Sequence, residues 1–273
     1  LRPKAIQPWI LKALTSLFTE DHEAAIAAAA TAVEMKPSDM AAHSMLGTTL
    51  AAAGRDAEAE IALLKSIEIN PEALRAIIEL AKLREKQDRK DESAELYRRA
   101  SSIGELPDAD AARFARLLMR TSRFDEAERV LRQATQRSND QRSATRLLAE
   151  LLHGQSRNSE ALEILEIAAR NSDQWEAWAD YSAFLLDAED DAEAAEEAIK
   201  KALSNNVSSP VLYWILARAM EASGSEHTAI AEVAHKCLQA HMNETSAWIF
   251  AGQIFELIDQ DDQAEAVYRD ALA

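Results

Sequence analysis

Apolar and polar positions follow the period of an α-helix along this chain, most clearly between Met40 and Pro71. Within that stretch, apolar and small residues recur three or four positions apart, as they do on one face of a helix. The first run is broken at Gly54, and the second stops at Asn70-Pro71, because proline lacks an amide hydrogen and disfavours a helical residue before it. The stretch therefore predicts two short helices joined by a turn.

The same pattern returns every 34 residues over almost the whole chain. Small residues stand at this interval in the first helix of each copy, at Ala13, Gly47, Ala81, Ala115, Ala149, Ala183 and Ala217, with the last copy displaced by one residue to Gly252. The second helix has the equivalent series Ala25, Ala59, Ser93, Ala127, Ala161, Ala195 and Ala229. A later series, Ala32, Ser66, Ala100, Ala134, Ala168 and Ala202, is interrupted at Lys236 and resumes at Ala271. The shared period predicts a repeated pair of helices that cross closely.

This arrangement resembles the tetratricopeptide repeat (TPR) family, whose unit is a helix-turn-helix of 34 residues. The family motif is fullest in three copies, which contain Leu46, Gly47, Gly54, Ala59, Ser66 and Pro71; Trp9, Ala25, Ala32 and Pro37; and Trp248, Gly252, Ala264, Tyr268 and Ala271. The resemblance implies an all-α fold, a right-handed superhelical solenoid of about eight repeats that bury their core against their neighbours. We expect one array over residues 1–273, with repeats at 6–39, 40–73, 74–107, 108–141, 142–175, 176–209, 210–244 and 245–273.

Composition adds limits to this picture. Only six glycines and six prolines occur, which favours continuous helix, and no apolar run approaches the ~18 residues of a membrane span. The chain begins without methionine and stops inside the predicted second helix of its last repeat, which indicates a segment of a longer protein and leaves self-association possible. The single Cys237 excludes an internal disulfide framework but leaves the compartment unknown, with the cytoplasm favoured over the periplasm.

The formal net charge of −17 argues against binding to nucleic acid, but the charge is uneven. Residues 74–146 carry a balance of +4, and the rest of the chain carries −21. In proteins of the TPR family the first helices line a concave face, and that resemblance implies which side chains point into it. The first two repeats contribute Ile10, Leu14, Leu17, Phe18, Ser44, Met45 and Thr48. The next three contribute the basic residues Arg75, Lys82, Lys86, Arg113, Arg116, Arg120 and Arg146, with Glu79, Glu85 and Glu150 among them. The last three contribute Asp180, Tyr181, Phe184, Trp214, Arg218, Ile249 and Phe250.

The basic side chains predict an acidic peptide or protein segment as ligand, held by charge-assisted hydrogen bonds and anchored on the aromatic residues. Two plainer interpretations stay open. The basic stretch is also typical of a solvated helix face, since Glu79, Lys82, Glu85 and Lys86 have the spacing of intrahelical ion pairs. Aromatic residues at helical spacing are also typical of packing between repeats.

The leading hypothesis is a noncatalytic scaffold that binds a partner protein. The alternative is the substrate-recognition arm of a larger enzyme, such as a glycosyltransferase or sulfotransferase; an RNA-processing role is a weaker third. No glycine-rich phosphate loop, HExxH or GxSxG motif is present, and the histidines lack metal-ligand spacing, so we expect no catalytic residue, no metal and no cofactor. Some family members hold the acidic tails of chaperones in a clamp that needs asparagines, and at those positions this chain has Leu14, Thr48, Lys82, Arg116 and Glu150. We therefore do not expect a cochaperone role.

Overall fold

The computed structural model describes residues 5–136, 142–172, 174–188, 190–205 and 207–272, and within these ranges it contains α-helices and no β-strand. The sixteen helices of the described ranges are α1 (Gln7–Phe18), α2 (His22–Met35), α3 (Met40–Ala52), α4 (Asp56–Ile69), α5 (Leu74–Lys86), α6 (Lys90–Ile103), α7 (Asp108–Arg120), α8 (Phe124–Thr135), α9 (Arg142–Gly154), α10 (Asn158–Arg170), α11 (Trp175–Ala188), α12 (Ala192–Ser204), α13 (Pro210–Ala222), α14 (His227–Ala240), α15 (Thr245–Leu257) and α16 (Asp261–Asp270). The predicted all-α, repeated helix-turn-helix fold is confirmed.

The helices group into two compact units, residues 1–127 and residues 128–273, and we call them unit 1 and unit 2. Consecutive helices pack against one another from α1 to α7 in unit 1 and from α9 to α16 in unit 2. The first helices of neighbouring repeats also touch, as α1, α3 and α5 do in unit 1 and α9, α11, α13 and α15 do in unit 2. That 1–273 forms one array stays a prediction.

Small residues sit where paired helices cross, as their spacing predicted. Ala59, Ser93 and Ala161 are fully buried, and the Ser93 hydroxyl donates a hydrogen bond of 2.8 Å to the carbonyl of Ala81. At Gly47 the approach is closer still, because an added Cβ would lie 2.5 Å from Leu63 Cγ. These crossings bring each second helix directly onto the backbone of its first helix.

The prediction was wrong about the register of the second helix in the seventh repeat. Ile230, and not Ala229, takes the fully buried crossing position, and Cys237, and not Lys236, takes the later one. The extra residue of this repeat therefore lies before α14, next to the turn at Gly224, and not after the helix. The interruption of the small-residue series at Lys236 disappears once this shift is included.

The turns between paired helices share one backbone conformation. At each turn one residue has φ between 53° and 76°, and these residues recur 34 positions apart as Glu20, Gly54, Asp88, Ser122, Ser156, Asp190 and Gly224, followed by Asp259. The next amide then closes the helix end, as where Arg123 N–H donates to the carbonyl of Leu118 at 2.8 Å. This left-handed ending is the usual way to stop a helix, and it favours glycine.

Candidate interaction surfaces

The basic residues predicted in unit 1 lie on α5 and α7, and we call this surface the cationic face: Arg75, Lys82, Lys86, Arg113, Arg116 and Arg120. Three of them are ion-paired across helices. Lys82 Nζ lies 2.9 Å from Asp110 Oδ1, Lys86 Nζ lies 2.8 Å from Asp56 Oδ1, and Arg113 Nη1 lies 3.3 Å from Glu85 Oε2. The charge of half of the face is thus already neutralised by the protein.

Lys82 is the most enclosed of these cations. Partial burial disfavours its charged form, but attraction to Glu79 and Asp110 outweighs it and raises the pKa of the ammonium above its ordinary value. Asp110 itself is only 6% exposed. We infer that Lys82 serves mainly to hold α5 against α7.

Arg75, Arg116 and Arg120 differ from their neighbours on the cationic face. All three are exposed, and none makes an ion pair with an acidic residue in the described part of unit 1. Arg116 and Arg120 are one helical turn apart on α7. The pKa of the Asp88 carboxyl is lowered chiefly by a hydrogen bond from Lys90, with a smaller Coulombic contribution from Arg120. In the described part of unit 1, these arginines therefore present most of their N–H donors to solvent.

The apolar part of the predicted concave surface needs a correction. Ser44 and Met45 were expected to face a ligand, but they are only 4% and 2% exposed, because they lie on the face of α3 that packs inside unit 1. Phe18, in contrast, is 92% exposed.

In unit 2, Arg146 and Phe184 lie in a cleft between α9 and α11. The cleft consists of two depressions, of about 180 and 420 Å³, which share Arg146, Leu165 and Asp180. The larger depression is also lined by Ala149, Glu150, His153, Ala183, Phe184, Asp187 and Ala188. The ring of Phe184 meets His153 edge to face at 5.6 Å between ring centroids.

The charges in the cleft are mixed, and acidic groups come from both helices. Arg142 binds Asp180 with two hydrogen bonds of 2.6 and 3.0 Å, and this bond to the carboxylate raises the pKa of Arg142. Arg146 makes a weaker contact with Glu150 at 3.4 Å. The sequence analysis missed Arg142, because its partner Asp180 lies 38 residues away in the chain. The position of Arg142 one helical turn before Arg146 was the signal that could have identified it.

The remaining predicted ligand residues lie beyond this cleft, within unit 2. Tyr181 and Trp214 are half-buried and pack against the unit's hydrophobic core. Arg218 is half-buried and its Nη2 lies 3.2 Å from Asp187 Oδ1. Packing therefore accounts for much of the surface of these two aromatic side chains.

No constellation of reactive groups stands out on these surfaces. Within the described ranges, no group of three or more His, Cys, Asp or Glu side chains is placed to hold a metal ion. Among the same residues, none of the helices has the length and apolar character needed to cross a membrane.

The repeated pairs of helices, their close crossings and their exposed first-helix surfaces define a helical-repeat protein. A family model described as tetratricopeptide repeat matches residues 10–73 and 112–174. Residues 10–73 and 112–174 therefore carry tetratricopeptide repeats, as the resemblance implied. Proteins of this family generally mediate protein–protein interaction, and their repeats typically form noncatalytic scaffolds.

Solved structures agree on the fold. A tetratricopeptide repeat protein from Parabacteroides merdae is 13% identical with a TM-score of 0.53, covering 98% of this chain and 99% of that chain. The pilF protein of Pseudomonas aeruginosa is 18% identical with a TM-score of 0.52, and the match covers 78% of this chain and 97% of pilF. A thermophilic TPR protein of Thermus thermophilus is 19% identical with a TM-score of 0.50, and the match covers 67% of this chain and 100% of that protein. No curated protein sequence matches the chain.

Proposed function

We propose that this protein is a noncatalytic interaction module that binds an acidic segment of a partner protein on the cationic face of unit 1. The observation that carries the proposal is the contrast within that face. Lys82, Lys86 and Arg113 have carboxylate partners, whereas Arg116 and Arg120 are exposed without one in the described part of the chain.

The physical basis is the strength of charge-assisted hydrogen bonds. An arginine guanidinium offers five N–H donors in a planar fork that matches a carboxylate. On a helix, two arginines one turn apart bind two acidic side chains of an extended segment. The paired residues around them fix the surface, so that little ordering is needed when the ligand arrives.

A synthetic peptide of alternating glutamate and small residues is a suitable probe, because no natural partner is needed to test charge recognition. The probe is titrated against the protein at low and high salt, with fluorescence anisotropy as readout. The double variant Arg116→Glu, Arg120→Glu is expected to weaken binding by about tenfold or more, which corresponds to ~1.4 kcal/mol. Binding of the unchanged protein is expected to weaken at high salt.

The matched control is Lys200→Glu with Lys201→Glu on α12, where both lysines are exposed. It changes the net charge by the same amount but leaves the cationic face intact, so it should retain the affinity of the unchanged protein. Equal loss in both double variants would mean that only overall charge matters, and equal retention in both would reject the cationic face as the site. Far-ultraviolet circular dichroism checks that each variant is folded.

No feature of the described surfaces favours the alternative of a recognition arm for a glycosyltransferase or sulfotransferase. Self-association stays a prediction, and sedimentation velocity at several protein concentrations tests it.

A further inference from the structure

The smaller depression of the α9–α11 cleft is a cavity of about 180 Å³ at the ends of four helices, and all of its lining residues belong to unit 2. One wall is apolar and comes mainly from α10, with Ile164, Leu165, Ile167, Ala168 and Ala177. The other is polar, with Thr135, Arg142, Thr145, Arg146, Asn171, Ser172, Gln174 and Asp180. The cavity thus offers an apolar side and a charged side to one small ligand.

Its size limits what it can hold. A volume of 180 Å³ corresponds to about six water molecules at roughly 30 Å³ each, so it takes one amino-acid side chain or a small molecule and not a helix. Ile167 is 51% exposed beside it, which is a large exposed fraction for an aliphatic side chain. A ligand with a short aliphatic chain would cover this surface.

The charged side chains at the cavity determine which polar group a ligand can place there. Asp180 is neutralised by the bidentate contact with Arg142, and its side chain is only 12% exposed, so it does not repel an anion strongly. Arg146 contacts Glu150 at 3.4 Å, but both side chains are more than half exposed, and such pairs contribute little. Because α9 and α11 begin at the cavity while α8 and α10 end there, their terminal partial charges oppose one another. Arg146 is therefore the cation that a ligand can recruit.

We propose that this cavity binds a carboxylate attached to a short aliphatic chain. The carboxylate accepts hydrogen bonds from Arg146 in place of Glu150, and the chain packs against Ile164, Ile167 and Ala168. Two sources supply this chemistry: a free branched short-chain acid, or the C-terminal residue of a peptide. For a peptide, the preceding residues lie along the larger depression towards Phe184. This site is in unit 2 and does not depend on the cationic face of unit 1.

The first arm of the test uses isovalerate and its neutral isostere isovaleramide, with binding followed by chemical-shift changes of isotope-labelled protein. Isovalerate is expected to bind in the millimolar range, and isovaleramide at least about tenfold more weakly, because it lacks the charge that Arg146 recognises. Absence of isovalerate binding together with absence of peptide binding overturns the proposal. Equal binding of the acid and the amide overturns it as well.

The second arm distinguishes the sources with N-acetylated pentapeptides of alanine that end in leucine, one with a free C-terminal carboxylate and one amidated. Tighter binding of the free-carboxylate peptide than of isovalerate, by about tenfold or more, assigns the cavity to a peptide C terminus. Similar affinities assign it to the free acid. An amidated peptide that binds as well as the carboxylate form contradicts the proposal.

Two variants locate the site independently. Arg146→Gln should weaken the binding of isovalerate and of the free-carboxylate peptide by about tenfold. Ala168→Leu should abolish the binding of both ligands, because the larger side chain fills the cavity. The matched control is Arg170→Gln on the exposed surface of α10, which should leave affinity unchanged. Urea denaturation of each variant shows that the fold is retained, and unchanged binding in both folded Arg146 and Ala168 variants refutes the cavity as the site.

Discussion

At the crossing of α3 and α4, a substitution of Gly47 tests how tightly the two helices pack, because close packing and helix propensity change the free energy of unfolding in opposite directions. A Cβ added at Gly47 would lie 2.5 Å from Leu63 Cγ, 2.6 Å from Leu63 Cδ2 and 3.2 Å from the carbonyl oxygen of Ala59. Ordinary carbon–carbon contacts are about 3.5–4.0 Å, and Leu63 is fully buried, so it has little room to move. Overpacking of this kind costs about 1–3 kcal/mol. Alanine in place of helical glycine contributes about 1 kcal/mol in the opposite direction. Gly47→Ala should therefore lower the free energy of unfolding by about 1 kcal/mol.

Gly154, in the last turn of α9, is the matched control. A Cβ added there meets nothing within 4 Å, so only helix propensity acts, and Gly154→Ala should be neutral or stabilise by up to ~1 kcal/mol. Urea denaturation followed by circular dichroism measures both variants, with whole curves compared because repeat arrays do not always unfold in two states.

A second background isolates the cause. In a Leu63→Ala protein the two contacts with Leu63 are absent and only the 3.2 Å approach to the Ala59 carbonyl oxygen remains, so adding Gly47→Ala should be less destabilising than in the unchanged protein, or stabilising. The reasoning about the crossing fails if Gly47→Ala stabilises the unchanged protein, or if its effect is the same with Leu63 present and absent.

Three further predictions concern turns and ion pairs. Ser122→Gly should stabilise unit 1 by about 0.5–1 kcal/mol in urea denaturation, because φ is 58° at this position and a left-handed conformation costs an L-residue ~1–2 kcal/mol. Arg84→Ala should destabilise by about 2 kcal/mol, because Arg84 is buried and donates bonds of 2.8 and 2.7 Å to Glu60, whereas Lys65→Ala on an exposed pair should change stability by less than ~0.5 kcal/mol in the same assay. Hydrogen bonds from Arg157 and Arg132 lower the pKa of Glu160 from 4.5 to about 2. The stability that this carboxylate contributes is therefore fully present above pH 4.5 and is lost as pH falls towards 2. The melting temperature of Glu160→Gln should accordingly change less with pH across that window than the melting temperature of the unchanged protein.

Helix positions and their pairing were predictable from the sequence because their causes are local. The 34-residue interval places the starts of α3, α5, α7 and α9 at Met40, Leu74, Asp108 and Arg142. Small residues at the crossings follow from the same interval, since only a small side chain lets two helix backbones approach. The turn conformation was less visible, because among the eight positive-φ residues of the described ranges only Gly54 and Gly224 are glycines.

The seventh repeat shows where this reasoning fails. A one-residue insertion can lie anywhere between two recognisable small residues, and the composition of α14 does not fix its place. Packing decides it, because Ile230 and Cys237 are fully buried in the structure. Lys236, which the uncorrected register would place at the buried crossing, is exposed, so that its ammonium stays in water. The cost of burying an unpaired charge was the signal that could have corrected the register.

The candidate surfaces were only partly predictable, because the spacing of charges along one helix does not determine where their partners are. Intrahelical spacing correctly suggests Lys82 with Glu79, but Lys86 instead binds Asp56 of α4, thirty residues earlier, and Arg113 binds Glu85 of α5. A count of basic residues therefore overstates the charge available to a ligand. What distinguishes a binding arginine from a structural one is the absence or weakness of its protein partner, and that depends on tertiary packing. By this criterion we expect recognition by this protein to depend on Arg75, Arg116 and Arg120 in unit 1 and on Arg146 in unit 2.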